Sequence, residues 1–253
     1  MCPRAAFTLG DAPEMVCHCM LVETKHGLVV VDCGLFAEAD VEKNRVHKYF
    51  MTFMRPSRQT AKREIEKLGY SPKDVKHVVC THLDLDHCGG ISDFPDAEIH
   101  VMTSERQAAE HPATMNEKRR YIRKHFAHGP KWRTHDVSGE SWKGFSAVRA
   151  LADDEPDLLL VPLHGHTRGH AAVAVRTDAG WLLHCGDAYF HASEMTNAAK
   201  APWGLEFFQR TIAVDDRMRR DNQRRLRALK KDGDVRLFCA HSKAEFDHMR
   251  GAS

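Results

Sequence analysis

Long hydrophobic runs and a strong net charge are both missing from this sequence of 253 residues. No segment approaches the ~20 consecutive apolar residues that a transmembrane helix needs. Residues 1–15 also hold no adequate apolar run for a signal peptide. The formal net charge of +2 is too small to indicate a polyanionic partner by itself. We therefore expect neither a membrane nor nucleic acid among the partners of this protein.

Paired cysteine spacing is missing as well, although the chain has eight cysteines. The Cys-x-x-Cys pattern of zinc knuckles and redox motifs does not occur. Most of the cysteines lie inside hydrophobic, strand-like runs, where a reduced cysteine behaves as a small apolar residue. This usage predicts a reducing, cytoplasmic location. The run Cys17-His18-Cys19 is not predicted to bind metal, because strand alternation points the histidine away from both thiols.

What the chain does contain is one dense group of metal-binding side chains. Four potential ligands fall within six residues: His82, Asp84, Asp86 and His87. Residues 77–80 before them are typical of a short buried strand, and two glycines after them indicate a break. In an extended segment the first three would face one side, and the fourth joins them only if the chain turns. This mixture of nitrogen and oxygen donors suits zinc, iron or manganese better than calcium or a thiolate cluster.

This segment resembles the His-x-His-x-Asp-His signature of the metallo-β-lactamase superfamily, with Asp84 where the second histidine normally stands. Four further stretches resemble motifs of that superfamily, in its order along the chain: residues 29–34 (early strand and Asp-x-Gly turn), 165–170 (Gly-His-Thr-x-Gly-His), 182–187 (strand ending in a metal-bridging Asp) and 238–241 (final strand and ligand His). Together the motifs cover most of the sequence, from about residue 15 to about residue 245.

The resemblance implies an α/β fold of four layers, αββα, in which two mixed β-sheets are flanked by helices. One such domain would comprise residues 1–253. The hydrophobic pattern agrees, because an amphipathic helix at 59–68 and strands at 77–80 and 97–102 alternate along the chain.

Three segments with many basic residues leave alternatives open. Residues 36–63 form either a wall of the substrate cleft or a packing helix. Residues 104–147 form either a lid that attracts an anionic substrate or a helical insertion with a solvated basic face. Residues 214–231 carry apolar positions largely on one helical stripe, which favours a surface helix over a nucleic-acid face.

The resemblance also implies a set of ligands for two divalent metal ions. One ion would take His82, Asp84 and His170, the other Asp86, His87 and His241, and Asp187 would bridge the two. Zinc is the expected metal, and iron or manganese are alternatives because a carboxylate at position 84 is a harder ligand than imidazole.

Other polar residues near the motifs are given supporting roles. Asp86 would assist proton transfer to the leaving group, and Tyr189 would contact the substrate. Asp32 either anchors a ligand by a hydrogen bond or simply ends a strand. His164 and His166 are expected to be structural, or in one case to orient a ligand.

The chemistry implied is that of a metal-dependent hydrolase. A hydroxide between the two metals would attack a small acyl substrate, namely a lactone, an ester or a thioester. Two alternatives from other classes remain, a non-haem iron oxidoreductase similar to the sulfur dioxygenases of this fold and a non-catalytic binding protein.

Overall fold

The computed structural model describes residues 15–38, 60–137, 140–151, 157–196 and 200–251, so most of the segment 36–63 lies outside the described residues. Within these ranges two β-sheets carry helices on their outer faces. The first sheet has five strands in spatial order: β1 (Met20–Thr24), β2 (Gly27–Val31), β3 (Val75–Val79), β4 (Glu98–Met102) and β5 (Lys131–His135). Strands β1 and β2 form an antiparallel hairpin, and the other neighbours pair in parallel, so the sheet is mixed.

The second sheet is also mixed, with β10 and β11 parallel and the other neighbours antiparallel. Its six strands lie in the spatial order β11, β10, β9, β8, β7, β6. They are β6 (Glu140–Trp142), β7 (Phe145–Arg149), β8 (Leu158–Pro162), β9 (Ala171–Thr177), β10 (Gly180–His184) and β11 (Val235–Phe238).

The α-helices of the described residues lie between or after these strands. They are α1 (Ala61–Lys67), α2 (Leu85–Cys88), α3 (Thr103–Glu110), α4 (Met115–Arg120), α5 (Trp203–Ile212), α6 (Asp216–Asp232) and α7 (Lys243–Gly251). The side chain of Asp215 caps the N-terminus of α6, and Gly233 ends that helix in the left-handed region at φ 79°. This confirms the helix predicted for 214–231. None of the described helices combines the length and the apolar character needed to cross a bilayer.

Three apolar layers hold the sheets and helices together. Val31 and Val79 of the first sheet pack against Leu160 and Val173 of the second in the layer between the sheets. A second layer lies between the first sheet and helices α1 and α3, and a third lies between the second sheet and α6. The four-layer αββα architecture expected from the resemblance is therefore confirmed.

The stretch predicted as a helical or lid insertion, 104–147, is helical only in its first half. Its second half supplies β5, β6 and the beginning of β7. The basic residues at 118–120 end the short helix α4, which starts with a capping box made by Thr114 and Glu117. This part of the chain therefore contributes strands to both sheets. Its helix α4 ends beside the metal-binding residues described next.

Candidate metal centre

The predicted ligands other than His170 converge where β3, β10 and β11 end. The short helix α2 starts at Leu85, so the extended alternation stops there and His87 turns back toward the sheets. Glycine is needed directly after it, since a Cβ on Gly89 would lie 1.9 Å from the carbonyl oxygen of Leu35. A Cβ on Gly90 would similarly lie 2.3 Å from that of Cys33. The two glycines therefore let the metal-binding turn pack against the loop after β2.

One group of donor atoms, which we call the first cluster, comprises His82, Asp84, His166 and Asp187. The Nε2 atom of His166 is 3.1 Å from Asp84 Oδ2 and 3.2 Å from Asp187 Oδ2. The Nε2 atom of His82 is 3.4 Å and 3.8 Å from the same two oxygens. Around a tetrahedral zinc ion with bonds of about 2.0 to 2.1 Å, ligand atoms are roughly 3.3 Å apart. The first cluster thus has the dimensions of a site for one ion.

A second cluster shares Asp187 and adds His87 and His241. The Oδ1 atom of Asp187 is 3.0 Å from His241 Nε2 and 3.2 Å from His87 Nε2. Asp86 lies at the open side, with Oδ2 3.6 Å from His241 Nε2. The carboxylate of Asp187 therefore offers one oxygen to each cluster, which is the arrangement of a bridging ligand.

Hydrogen bonds behind the ligands set the protonation of the rings. His87 Nδ1 donates to Asp32 Oδ2 at 2.7 Å, and His241 Nδ1 donates to the carbonyl oxygen of Val16 at 2.8 Å. Both rings then present the lone pair of Nε2 to the second cluster. In the part of the chain that the structure describes, the buried atoms His82 Nε2, His87 Nε2 and Asp187 Oδ1 have no hydrogen-bond partner. Because such atoms are costly to bury, a bound cation is the partner that fits them.

Asp32 is one of the two non-glycine residues with positive φ in the described ranges, at 53°. Its carboxylate accepts hydrogen bonds from the backbone N–H and the hydroxyl of Thr81, each at 2.8 Å, in addition to the bond from His87. Of the two interpretations of Asp32, the structure therefore confirms the anchor. It fixes the first and last parts of the metal motif relative to each other.

The carboxylates of Asp84 and Asp187 are held in the anionic form. Burial alone would raise the pKa of Asp187, but the imidazoles of His241 and His87 outweigh it and keep this pKa well below the usual range. Burial is likewise opposed at Asp84, where Arg120 and His82 keep the pKa well below its ordinary value. Both groups are therefore charged at neutral pH and suited to bind a cation.

His170, predicted as a ligand, is not brought into either cluster. Its Nδ1 lies 3.0 Å from the carbonyl oxygen of Leu163, and its Nε2 accepts a hydrogen bond from the backbone N–H of Asp187 at 2.9 Å. Both ring nitrogens are therefore used by the backbone, and no lone pair is left for a metal. The donor atom in this place comes from His166, four residues earlier in the same motif. His170 instead fixes the position of the bridging aspartate.

Tyr189, predicted to contact the substrate, faces away from the clusters. Its ring is completely buried among the side chains between the second sheet and α6. Its hydroxyl donates to the carboxylate of Glu245, which lies at 3.0 and 3.1 Å through its two oxygens and also accepts from the backbone N–H of Cys239. Burial, followed by nearby acidic groups, raises the pKa of Tyr189 well above its ordinary value. The geometry gives this residue a structural contact.

Sequence reasoning did not single out Arg120, which contacts the first cluster. Its Nη1 donates to Asp84 Oδ2 at 2.6 Å and lies 3.0 Å from His166 Nε2, while Nη2 donates to the carbonyl oxygen of Ile212. The neighbouring Arg168 of the Gly-His-Thr-Arg-Gly-His motif donates to Glu117 on the same helix at 2.6 Å. Helix α4 therefore contacts Asp84 through Arg120, and it contacts the loop that carries His166 through the bond between Glu117 and Arg168.

A second residue missed from the sequence is Cys17, whose thiol lies within 4.8 Å of donor atoms of Asp86 and His241. Strand β1 begins only at Met20, so the strand alternation assumed for Cys17-His18-Cys19 does not apply here. Instead the backbone N–H of His18 donates to the carbonyl oxygen of Ala240 at 2.9 Å. This pairing places Cys17 at the open side of the second cluster.

Curated proteins similar to this chain include probable metallo-hydrolases and N-acyl homoserine lactonases. A probable metallo-hydrolase of Mycobacterium tuberculosis is 41% identical over 232 residues, which are 90% of this chain and 74% of the relative. An N-acyl homoserine lactonase of a Bacillus species is 24% identical over 199 residues, covering 77% of this chain and 72% of the relative.

Solved structures share the fold at lower identity. An N-acyl homoserine lactone hydrolase with the product N-hexanoyl-L-homoserine at its catalytic metal centre aligns with a TM-score of 0.69 and 19% identity, over 97% of this chain and 89% of that one. A probable metal-dependent hydrolase from Staphylococcus aureus aligns with a TM-score of 0.70 and 16% identity, over 96% and 85% of the two chains. The family model described as the metallo-beta-lactamase superfamily matches residues 12–241. With the fold, the motifs and this match in agreement, the chain belongs to the metallo-β-lactamase superfamily and is related to its metallo-hydrolases.

Proposed function

We propose that this protein hydrolyses a small acyl compound, a lactone or an ester, with two divalent metal ions, most simply zinc. The observation that carries the proposal is the carboxylate of Asp187, which offers Oδ2 to one group of donors and Oδ1 to another. A single-ion site has no need for a buried carboxylate between two sets of histidines.

The residues divide between the two ions by cluster. His82, Asp84 and His166 would hold one ion, His87 and His241 would hold the other with Asp86 at its open side, and Asp187 would contribute to both. When bound, two such ions supply a nucleophile at neutral pH and polarise the scissile carbonyl group. Zinc fits the histidine-rich second cluster, while the carboxylate of Asp84 keeps manganese or iron as alternatives at the first.

The other residues of the site orient these ligands and handle protons. Asp32 and the carbonyl oxygen of Val16 fix the rings of His87 and His241 with Nε2 inward. The side chain of Asp86 is 33% exposed, which makes it the most accessible carboxylate of the second cluster. It is therefore our candidate for delivering a proton to the leaving group.

Support for a lactone or an ester comes from the relatives, several of which are N-acyl homoserine lactonases. A structural neighbour described as a dizinc quorum-quenching lactonase also carries a hexanoyl homoserine product, with a TM-score of 0.60 over 90% of this chain. At 18% identity this neighbour supports the fold, and its substrate is a starting point for assays.

The test combines metal analysis with an assay. Protein purified without added metal or chelator is analysed for zinc, manganese and iron, and is then offered N-hexanoyl homoserine lactone and simple aryl esters. We expect about two equivalents per chain and hydrolysis that His82→Ala abolishes. The matched control is His248→Ala, an exposed histidine on α7, which should leave both unchanged.

Two results would overturn the proposal. A single iron ion per chain, with oxygen consumption in the presence of a persulfide and no hydrolysis, would favour the oxidoreductase alternative. Full metal loading without turnover of any substrate in a broad acyl panel would favour a binding protein.

A further inference from the structure

Another group of metal-binding side chains lies on the first sheet, away from the metal centre. His77 on β3, His100 on β4 and His135 on β5 come from three neighbouring strands, and Glu98 precedes His100 by two residues on β4. In the parallel pairing of β3 and β4, His77 is the partner of Glu98. Residues opposite each other, and residues two apart on one strand, share a face of the sheet. All three donors on β3 and β4 therefore lie on one face.

The donor atoms are close enough to bind one ion. His77 Nδ1 is 3.0 Å from His100 Nε2 and 3.9 Å from Glu98 Oε2, and the ligand atoms of the three residues lie within 4.8 Å of one another. These separations match those of the first cluster, where they run from 3.1 to 3.8 Å. The strands themselves hold the three donors in place.

Neighbouring side chains orient two of these donors. The Nδ1 atom of His100 lies 3.0 Å from His135 Nε2, so a proton on Nδ1 leaves the lone pair of Nε2 facing His77. Arg133 donates twice to Oε1 of Glu98, at 3.0 and 2.7 Å, so that Oε2 is the oxygen directed toward the histidines. Metal-binding side chains are usually held by hydrogen bonds from neighbouring groups in this way.

The protonation of His100 agrees with a ligand role. Burial, followed by the neighbouring His77 and His135, lowers the pKa of His100 to about 3. The ring is therefore neutral at physiological pH, as metal binding requires. His100 is buried, whereas the side chains of His77 and Glu98 are 24% and 33% exposed, so an ion can enter from solvent.

We propose that His77, Glu98 and His100 form a separate site for a divalent transition metal ion such as zinc. Three protein ligands would leave the fourth position of a tetrahedral ion to water. The ion would join β3, which leads into the metal motif, to β4 beside it. The proposal depends only on the geometry of the first sheet and holds whatever substrate the metal centre acts on.

The test uses zinc or cobalt alone as the probe on full-length protein. Protein stripped with a chelator is reloaded, and metal equivalents per chain are measured for wild type, His100→Gln, His77→Gln and His111→Gln. His111 is an exposed histidine at the end of α3 and serves as the control. We expect wild type and His111→Gln to bind one equivalent more than the two other variants, and cobalt bound there to add visible absorption that His77→Gln removes.

Equal metal content in wild type, His100→Gln and His77→Gln would overturn the proposal. If His100→Gln does not fold because its ring is buried, His77→Gln decides alone, since this side chain is partly exposed. Hydrolysis by His77→Gln should equal that of wild type, so a loss of zinc here is distinguishable from failure of the metal centre.

Discussion

The two clusters of the metal centre share Asp187 but are built differently. In the second cluster His87, His241 and Asp187 lie together with Asp86 at the open side, and each histidine is fixed by one hydrogen bond from behind. In the first cluster the motif departs from its superfamily at Asp84, and Arg120 from a distant helix contacts that same carboxylate. The comparison shows that the unusual ligand Asp84 is paired with a cationic side chain from another part of the chain.

The opposite charges of Asp84 and Arg120 give a physical reason for this pairing. Asp84 carries −1 and Arg120 carries +1, so together they are neutral, as a histidine at position 84 would be. If the arginine is not counted, the four negative charges of three carboxylates and a hydroxide would cancel the four positive charges of the two proposed divalent ions. With the arginine, the proposed two-metal site would have a net charge of +1, and we would expect it to keep the Lewis acidity of a site with a histidine at position 84. The guanidinium also repels a cation, so we expect the first cluster to bind its metal more weakly than the second.

Asp187→Ala should have the largest effect, because it removes the side chain that the two clusters share. Because this side chain gives an oxygen to each cluster, its removal should weaken both sites and lower kcat/KM by about three orders of magnitude, or roughly 4 kcal/mol of transition-state stabilisation. Zinc content and lactone hydrolysis measure the effect. Retention of two tightly bound ions would show that the clusters are independent.

Asp32→Asn should weaken metal binding at the second cluster more than at the first, because Asp32 bonds His87 directly and reaches His82 only through Thr81. An amide oxygen is an uncharged and weaker acceptor for the N–H of His87 Nδ1. The ring of His87 is then oriented less firmly and is a less basic ligand. Losses of about 10- to 100-fold in metal affinity are usual when such a partner is removed. Stepwise zinc affinities by competition with a chromophoric chelator would show the loss. A loss of zinc affinity at the weaker of the two sites instead would contradict the role of Asp32 at the second cluster.

Arg120→Met should affect the first cluster, and in the opposite direction. Without the guanidinium, Asp84 Oδ2 and His166 Nε2 are both free for a cation, and we expect that cluster to bind zinc about tenfold more tightly, or roughly 1.4 kcal/mol. Arg119→Met is the matched control, since Arg119 is exposed on the same helix. The same chelator competition measures both variants. Weaker zinc binding in Arg120→Met would mean that the arginine orients Asp84 and does not compete with the metal.

The sequence allowed the second cluster to be predicted more completely than the first. Its donors Asp86, His87 and His241 belong to motifs whose spacing is set by strands, so position along the chain implied position in space. The choice between His166 and His170 depended on how the loop after β8 is hydrogen-bonded, and the motif contains both residues. Arg120 lies 36 residues after Asp84 in a basic run typical of a solvated helix. Cys17 was missed because the strand begins at Met20, three residues after Cys17, so strand alternation does not fix where its thiol points.

Tyr189→Phe should lower the stability of the surrounding core and leave metal binding at both clusters unchanged. The substitution removes the hydroxyl that donates to Glu245, whose pKa burial already raises. Losing this hydrogen bond to a partly buried carboxylate should cost about 0.5 to 1.5 kcal/mol of unfolding free energy. Denaturant unfolding measures that loss, while zinc content and kcat/KM should stay within about twofold of wild type, a change of only roughly 0.4 kcal/mol. If kcat instead falls strongly with stability unchanged, Tyr189 contacts the substrate and the second cluster extends further along the loop after β10 than its hydrogen bonds indicate.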